Sequence, residues 1–415
     1  MIDTIITETA RREFSRAMRF DDKTIAALPQ GDGTPDRLLY LHVPFCESLC
    51  PYCSFNRMVF EESLCRRYFK ALRKEILLYR DLGYDFSGIY VGGGTPTILI
   101  DELEATLRLC RQTFSIREIS VETNPNHLHD ENVGILQKAG VNRLSVGVQS
   151  FDDNLLKAMG RYHKYGSGEA IARRLTDFLQ AFDTLNADMI FNFPLQTEAT
   201  LTADLMTLLD TGVGQITYYP LMVSDSTKKS VERTLGRVDY KREKKYYYQI
   251  TDHLAREYRC SSAWCFSRRE SMVDEYIVDY DEYAGLGSGS IGYIGGVCYA
   301  NTFSVPAYID LLEGGSLPLM ASRIFTMKER IRYDFVMKLF GLTLDLSQVR
   351  RKYGTALTPF LWQDVLAFTL AGALRYEGGT FRLTGRGRYY WVIMMREFFT
   401  AVNNFRDYCR EQGTG

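Results

Sequence analysis

Nowhere in the 415 residues does an apolar run reach the roughly 18 to 20 positions that span a bilayer; Tyr389–Met395 is short and follows Gly385-Arg386-Gly387-Arg388. A membrane partner is therefore not expected. Charge of one sign is also missing: 50 basic residues against 51 acidic leave a net charge of −1, so no broad field draws the chain to nucleic acid or an anionic surface. The five histidines show no metal-ligand spacing, and His127 and His129 are too close in sequence to share a helical face. No leader of charged then apolar residues opens the sequence, and the nine cysteines are odd in number. Both points disfavour a disulfide framework and lead us to expect a reduced, cytoplasmic protein. There is no internal repeat and no low-complexity tract.

What is present is a large apolar fraction, 46%, enough for one sizeable α/β domain and a smaller appendage. After a polar N-terminal arm to residue 36, strand-like segments alternate with helical periods. The predicted strands are Leu38–His42, Gly88–Gly92, Ile119–Thr123, Arg143–Val148, Ala187–Phe193 and Ile216–Met222. Amphipathic stretches at Glu62–Leu82, Glu102–Phe114, Asp130–Ala139, Gly168–Leu185 and Ala199–Leu209 separate them. Six βα units predict an α/β fold, a partial (β/α)6 TIM-like barrel over residues 37–260, with chemistry at the C-terminal ends of the strands. A glycine-rich extension, 261–326, carries Gly285, Gly287, Gly289, Gly292, Gly295 and Gly296. The last region, 327–415, reads as mainly helical and winged-helix-like, with a hairpin over Ala373–Leu383 turning at Glu377-Gly378-Gly379. Its balanced charge favours a packing module or cover over a nucleic-acid binder.

Chemistry concentrates in Cys46-Glu-Ser-Leu-Cys50-Pro-Tyr-Cys53, a CxxxCxxC run just past the first strand. Thiolates are the soft ligands of iron-sulfur clusters, which usually take four of them. Three make sense when one iron is left open for another ligand. Zinc ranks below this reading because no second cysteine pair exists: Cys65, Cys110, Cys260, Cys265, Cys298 and Cys409 are scattered. Gly92-Gly93-Gly94-Thr95-Pro96-Thr97 follows the second strand without the Lys-Ser/Thr ending of a phosphate loop. Glu122, Gln149 and Asp188 lie in or at the end of the third, fourth and fifth strands, placed to converge on one ligand. Arg161 suits a ligand carboxylate. Aromatics are 13% of the chain; most should be core, a minority lining a cavity for a flat substrate.

These residues together resemble the radical S-adenosylmethionine superfamily and, within it, the oxygen-independent coproporphyrinogen III oxidase group. The shared text spans nearly the whole chain: Tyr40-Leu-His-Val-Pro-Phe-Cys46, Gly92-Gly-Gly-Thr-Pro-Thr97, Asn142–Phe151, Gly285-Leu-Gly-Ser-Gly-Ser290 with Cys298-Tyr-Ala-Asn301, and Leu383-Thr-Gly-Arg-Gly-Arg388. The resemblance implies that Cys46, Cys50 and Cys53 hold a 4Fe-4S cluster whose open iron chelates S-adenosylmethionine. Reductive cleavage then yields a 5′-deoxyadenosyl radical. It further implies that Tyr40 faces the sulfonium, that Gly93, Gly94 and Thr95 form the motif at the methionine end, and that Glu122 meets the ribose. Tyr52 would lie near the adenine, with Gln149, Arg161 and Asp188 completing the pocket. One cofactor molecule is implied, or two as in several members of the group, with a reducing partner such as flavodoxin or ferredoxin.

Phe55 stands where the group often has a fourth cysteine, a departure that matters little because that cysteine is not a ligand. Two others bear on substrate. Asp188-Met-Ile-Phe191-Asn192-Phe193-Pro194 replaces the usual Asp-Leu-Ile-Tyr-Gly-Leu-Pro at a strand end expected to face the pocket. The His-Asn-x-x-Tyr-Trp signature of related heme chaperones is replaced by Tyr299-Ala-Asn-Thr-Phe303. The leading expectation is a radical enzyme on a porphyrin-like substrate, with oxidative decarboxylation of coproporphyrinogen III as the type reaction. Radical methyl transfer, as in anaerobic heme opening, is the alternative, and a heme carrier ranks last.

Overall fold

The computed structural model describes residues 2–20, 27–269, 276–354 and 358–412. A single twelve-stranded sheet organises it: β1 (Leu38–Val43), β2 (Gly88–Gly93), β3 (Glu118–Thr123), β4 (Arg143–Gln149), β5 (Thr184–Phe191), β6 (Gln215–Pro220), β7 (Arg259–Cys260), β8 (Cys265–Ser267), β9 (Tyr283–Leu286), β10 (Ile291–Ile294), β11 (Val297–Asn301) and β12 (Leu319–Ile324). The spatial order is β12-β11-β10-β9-β1-β2-β3-β4-β5-β6-β8-β7. Strands β1 to β6 are parallel and sequential, as the six predicted units require. A seventh parallel neighbour, β9, pairs with the far edge of β1, and antiparallel strands extend both ends.

The parallel strands are buried through almost their whole length, and in β3 to β6 apolar residues alternate with buried polar ones such as Ser120, Ser145, Asn186 and Thr217. The covering helices include α1 (Ile2–Ala17), α2 (Glu62–Asp81), α3 (Ile100–Thr113), α4 (Asp130–Lys138), α5 (Gly168–Asp177), α6 (Glu198–Thr211), α7 (Tyr240–Leu254), α8 (Met327–Phe340) and α9 (Gly385–Gln412). The stretch predicted as one helix over Gly168–Leu185 ends at Asp177 instead. Thr184 and Leu185 already belong to β5, where ladder pairing with Arg143 and Leu144 of β4 overrides helical propensity. The polar N-terminal arm likewise contains a helix, α1, which lies on α9 with Arg11 Nε bonded to Glu397 Oε2 at 2.8 Å.

In the C-terminal region, Leu374–Glu377 and Thr380–Leu383 form the predicted hairpin. Gly378 and Gly379 both take positive φ, 56° and 88°, as a two-residue turn of this hand demands. Thr343–Asp345 adds a third strand, completing a wing between helices. The glycine-rich extension packs closely for a visible reason. A Cβ on Gly292 would stand 2.2 Å from the Tyr299 ring, so only glycine lets that tyrosine lie flat on β10.

A buried carboxylate ties this extension to the barrel. Glu75 of α2 accepts hydrogen bonds from the Gly287 amide at 2.8 Å, Asn301 Nδ2 at 2.8 Å and the Tyr308 hydroxyl at 2.5 Å. Burial pushes its carboxyl up to about 7, against those three bonds. Tyr299 and Asn301, which stand within the text replacing the chaperone signature, are therefore core fasteners, both fully buried.

Candidate active site

The loop after β1 carries the three cysteines, and its shape is set by an arginine. Arg57 Nη2 donates to the carbonyls of Cys50 and Cys53 at 2.7 and 2.6 Å, closing the loop so that all three thiols stay half-buried and face one cavity. Cations also approach the sulfurs: Arg161 Nη1 and Lys164 Nζ lie 3.9 and 3.8 Å from Cys50 Sγ. Burial raises the Cys46 thiol to about 11, with the charges of Cys53 and Cys50 acting in the same direction and the Thr95 hydroxyl in the opposite one. Among the described residues, no three His, Cys, Asp or Glu side chains are already drawn into a metal-binding set. The donor chemistry nonetheless fits a cluster: three soft thiols on one loop beside cations that would offset thiolate charge.

Around them the strand ends converge. Tyr40 of β1 donates its hydroxyl proton to His42 Nδ1 at 2.9 Å, while His42 Nε2 donates to the Asn56 carbonyl at 2.8 Å. The carbonyl can only accept, which fixes the tautomer, and burial depresses His42 to about 4, so it is neutral. The reading of His42 as a packed strand residue holds.

Gly93 has φ of 118°, and a Cβ there would come 2.7 Å from the His42 ring; on Gly94 it would meet the Phe45 carbonyl oxygen at 2.5 Å. Glu122 accepts from the Tyr90 hydroxyl at 2.9 Å and the Gly93 amide at 3.1 Å. Asn124 Nδ2 donates to the Thr95 hydroxyl at 2.8 Å. Asp188 accepts from Ser145 Oγ and Asn186 Nδ2 at 2.7 and 2.8 Å, and a register shift between Gly147 and Gln149 ends β4 with Gln149 at φ of 76°. Arg161 donates to the Gly147 carbonyl and stacks its guanidinium 4.4 Å from the Tyr165 ring. Tyr52 packs edge-on to Phe193 with centroids 5.6 Å apart.

All twelve residues singled out from sequence line the same cavity of 1270 Å³: Tyr40, Cys46, Cys50, Tyr52, Cys53, Gly93, Gly94, Thr95, Glu122, Gln149, Arg161 and Asp188. That exceeds the roughly 300–1,000 Å³ of common ligand pockets. One expectation fails in detail. Phe191, Asn192 and Phe193 do not line the cavity; Asp188 and Ile190 do. Phe191 is turned into the core, and the altered stretch reaches the site only through Phe193 behind Tyr52.

Sequence reasoning missed the other half of the wall. Beyond the barrel mouth the cavity continues between α1, α8, Thr358–Leu370 and α9, past Phe14, Phe335, Phe368, Phe398 and Phe399. Tyr219 joins this lining, whereas the tyrosine pairs 246–247 and 389–390 are core. No local motif marks these positions, because helices far apart in sequence assemble them.

The Radical SAM superfamily profile fits residues 40–206. The heme chaperone HemW of Bacillus subtilis is 31% identical over 77% of this chain and 87% of its own length. The chain belongs to the radical S-adenosylmethionine superfamily, in the group of the oxygen-independent coproporphyrinogen III oxidases and their relatives. As a radical S-adenosylmethionine enzyme of that group, its cofactors are a 4Fe-4S cluster and S-adenosylmethionine. The anaerobilin synthase of Escherichia coli O157:H7 is 29% identical over 68% of this chain and 67% of its own length. The solved coproporphyrinogen III oxidase (HemN) of Escherichia coli superimposes with a TM-score of 0.73 at 21% identity, covering 93% of both chains, which establishes the shared fold. Among the described residues no helix is long and apolar enough to cross a membrane.

Proposed function

We propose that this enzyme acts on a porphyrin-like tetrapyrrole, with oxidative decarboxylation of coproporphyrinogen III as the type reaction. The observation that carries this reading is the single chamber running from the three thiols into an aromatic, apolar compartment between α1, α8 and α9. A flat macrocycle needs that combination of reach and apolar wall. The names of the similar proteins, a heme chaperone, an anaerobilin synthase and a coproporphyrinogen III oxidase, point to the same substrate class.

When bound, the cluster and S-adenosylmethionine supply hydrogen-atom abstraction. The chain's own residues position the reactants. Tyr40, Gly93, Gly94 and Thr95 shape the sulfonium and methionine end, Glu122 takes the ribose, Tyr52 flanks the adenine, and Gln149, Arg161 and Asp188 close the pocket. Catalysis at this site depends on a reducing partner such as flavodoxin or ferredoxin, in the cytoplasm.

The test is anaerobic reconstitution with iron and sulfide, reduction with S-adenosylmethionine, and chromatography for 5′-deoxyadenosine with and without coproporphyrinogen III. Stimulated release with vinyl products supports decarboxylation. Release stimulated by heme, with methyl label passing into product, selects methyl transfer. A second reading, heme carriage, is favoured by the 31% identity to a heme chaperone; tight heme binding without cofactor cleavage selects it.

A further inference from the structure

Among the described residues, one guanidinium in the chamber has neither a carboxylate partner nor a backbone carbonyl to hold. Arg406 of α9 is 8% exposed and lines the cavity beside Asn403 and Phe55. Its Nη1 donates to Asn403 Oδ1 at 3.0 Å, its plane sits 5.1 Å from the Phe55 ring, and its Nε is buried without a hydrogen-bond acceptor. No carboxylate among the described residues pairs with it. A buried cation kept in that state costs several kcal/mol, so such groups are normally paired. The neighbouring arginines have other duties: Arg57 and Arg410 hold backbone carbonyls of residues 50–55. Arg161 and Lys164 already face Cys50. Elsewhere in the chamber Arg323 pairs with Glu329 and Arg332 with Asp364.

We infer that Arg406, seated on Phe55 and oriented by Asn403, is the subsite for a carboxylate arm of the substrate. The inference rests on the tetrapyrrole reading and deepens it. Phe55 occupies the place of the group's frequent fourth cysteine, so the platform under the guanidinium is a feature of this chain. A planar cation on an aromatic face, lining the cavity with its Nε unsatisfied, suits bidentate carboxylate recognition. A second S-adenosylmethionine also offers a carboxylate, so the experiment separates the two sources.

The probes are iron protoporphyrin IX and its dimethyl ester, titrated spectroscopically into the full-length reconstituted protein, alongside equilibrium dialysis of S-adenosylmethionine. The native protein should prefer the free acid by about tenfold to a hundredfold, the range for one charge-assisted contact. Arg406→Gln should abolish that preference with the ester's affinity and the S-adenosylmethionine affinity unchanged. Arg406→Lys and Phe55→Leu, which disturb packing less, should each reduce it partway. An unchanged acid-to-ester ratio in these variants overturns the subsite while leaving the tetrapyrrole reading intact. Loss of S-adenosylmethionine affinity instead overturns the substrate assignment in favour of the cofactor. If neither porphyrin binds the native protein, the tetrapyrrole reading falls and the subsite with it.

Discussion

Glu122 accepts the backbone N–H of Gly93 at 3.1 Å, so the glycine run after β2 and the carboxylate at the end of β3 form one unit. Because the same carboxylate also holds Tyr90, a disturbance of the glycine backbone should pass directly into the part of the cavity proposed to take the ribose. Gly93→Ala places a methyl group against His42 at a φ that alanine resists by roughly 1–2 kcal/mol. We expect at least about tenfold weaker S-adenosylmethionine binding, measured by dialysis, with a Tm lowered by a few degrees.

Serine at position 46, 50 or 53 should remove the cluster, read as loss of bound iron and of visible absorption after anaerobic reconstitution. Serine at Cys65 or Cys110, both buried away from the cavity, should keep the iron and lose only stability. Equal iron loss from both sets would contradict the ligand assignment.

Glu75 and Asp204 should make stability fall as pH rises from about 5 to 7, with His42, depressed by burial from 6.5 to about 4, offsetting part of that fall. Burial raises Glu75 from 4.5 to about 7 and Asp204 from 3.8 to about 7. In that window the folded protein therefore holds protons that the unfolded chain releases. The sign follows from linkage: where the folded state binds more protons, raising pH favours unfolding, and the effect levels off above the folded values. Each group contributes on the order of 3 to 4 kcal/mol at most. Urea midpoints across this range should decline less steeply in Glu75→Gln, although that variant is weaker overall because one carboxylate oxygen among three hydrogen bonds is lost.

Asn192 has φ of 68° and buries a side-chain amide with neither polar atom bonded. Glycine, the group's usual residue, should be neutral or stabilising there, since it adopts this conformation freely and removes two unsatisfied atoms. Asn192→Val should cost about 1–3 kcal/mol. Thermal denaturation of the two variants distinguishes them, and a valine variant as stable as the native protein would refute the strain argument.

The barrel and its cofactor wall were legible because their signals are local. Period-two apolar runs marked β1 to β6, and the chemistry-bearing residues sit within a few positions of the strand ends. The helix over 168–177 ran long in the sequence reading because a strand-pairing preference at Thr184 is decided by β4, which local periodicity does not see. Similarly, α1 was hidden by its polar face, and its helical state rests on packing against α9. Arg406 and Asn403 carry no motif, and only the fold brings them to a loop some 350 residues earlier, where Arg410 reaches Ser54.

The strand that launches the cysteine loop has neighbours of very different origin. Its partner β2 begins fifty residues on, at Gly88, but on its other edge Leu38 pairs with Tyr283. During synthesis that edge stays open until most of the polypeptide has emerged, and long-range pairing of this kind forms slowly. Metallation thus belongs to a late stage in the life of the nascent chain. A ribosome stalled before residue 283 would display the three thiols on a strand only half paired, at the mercy of any oxidant or competing metal.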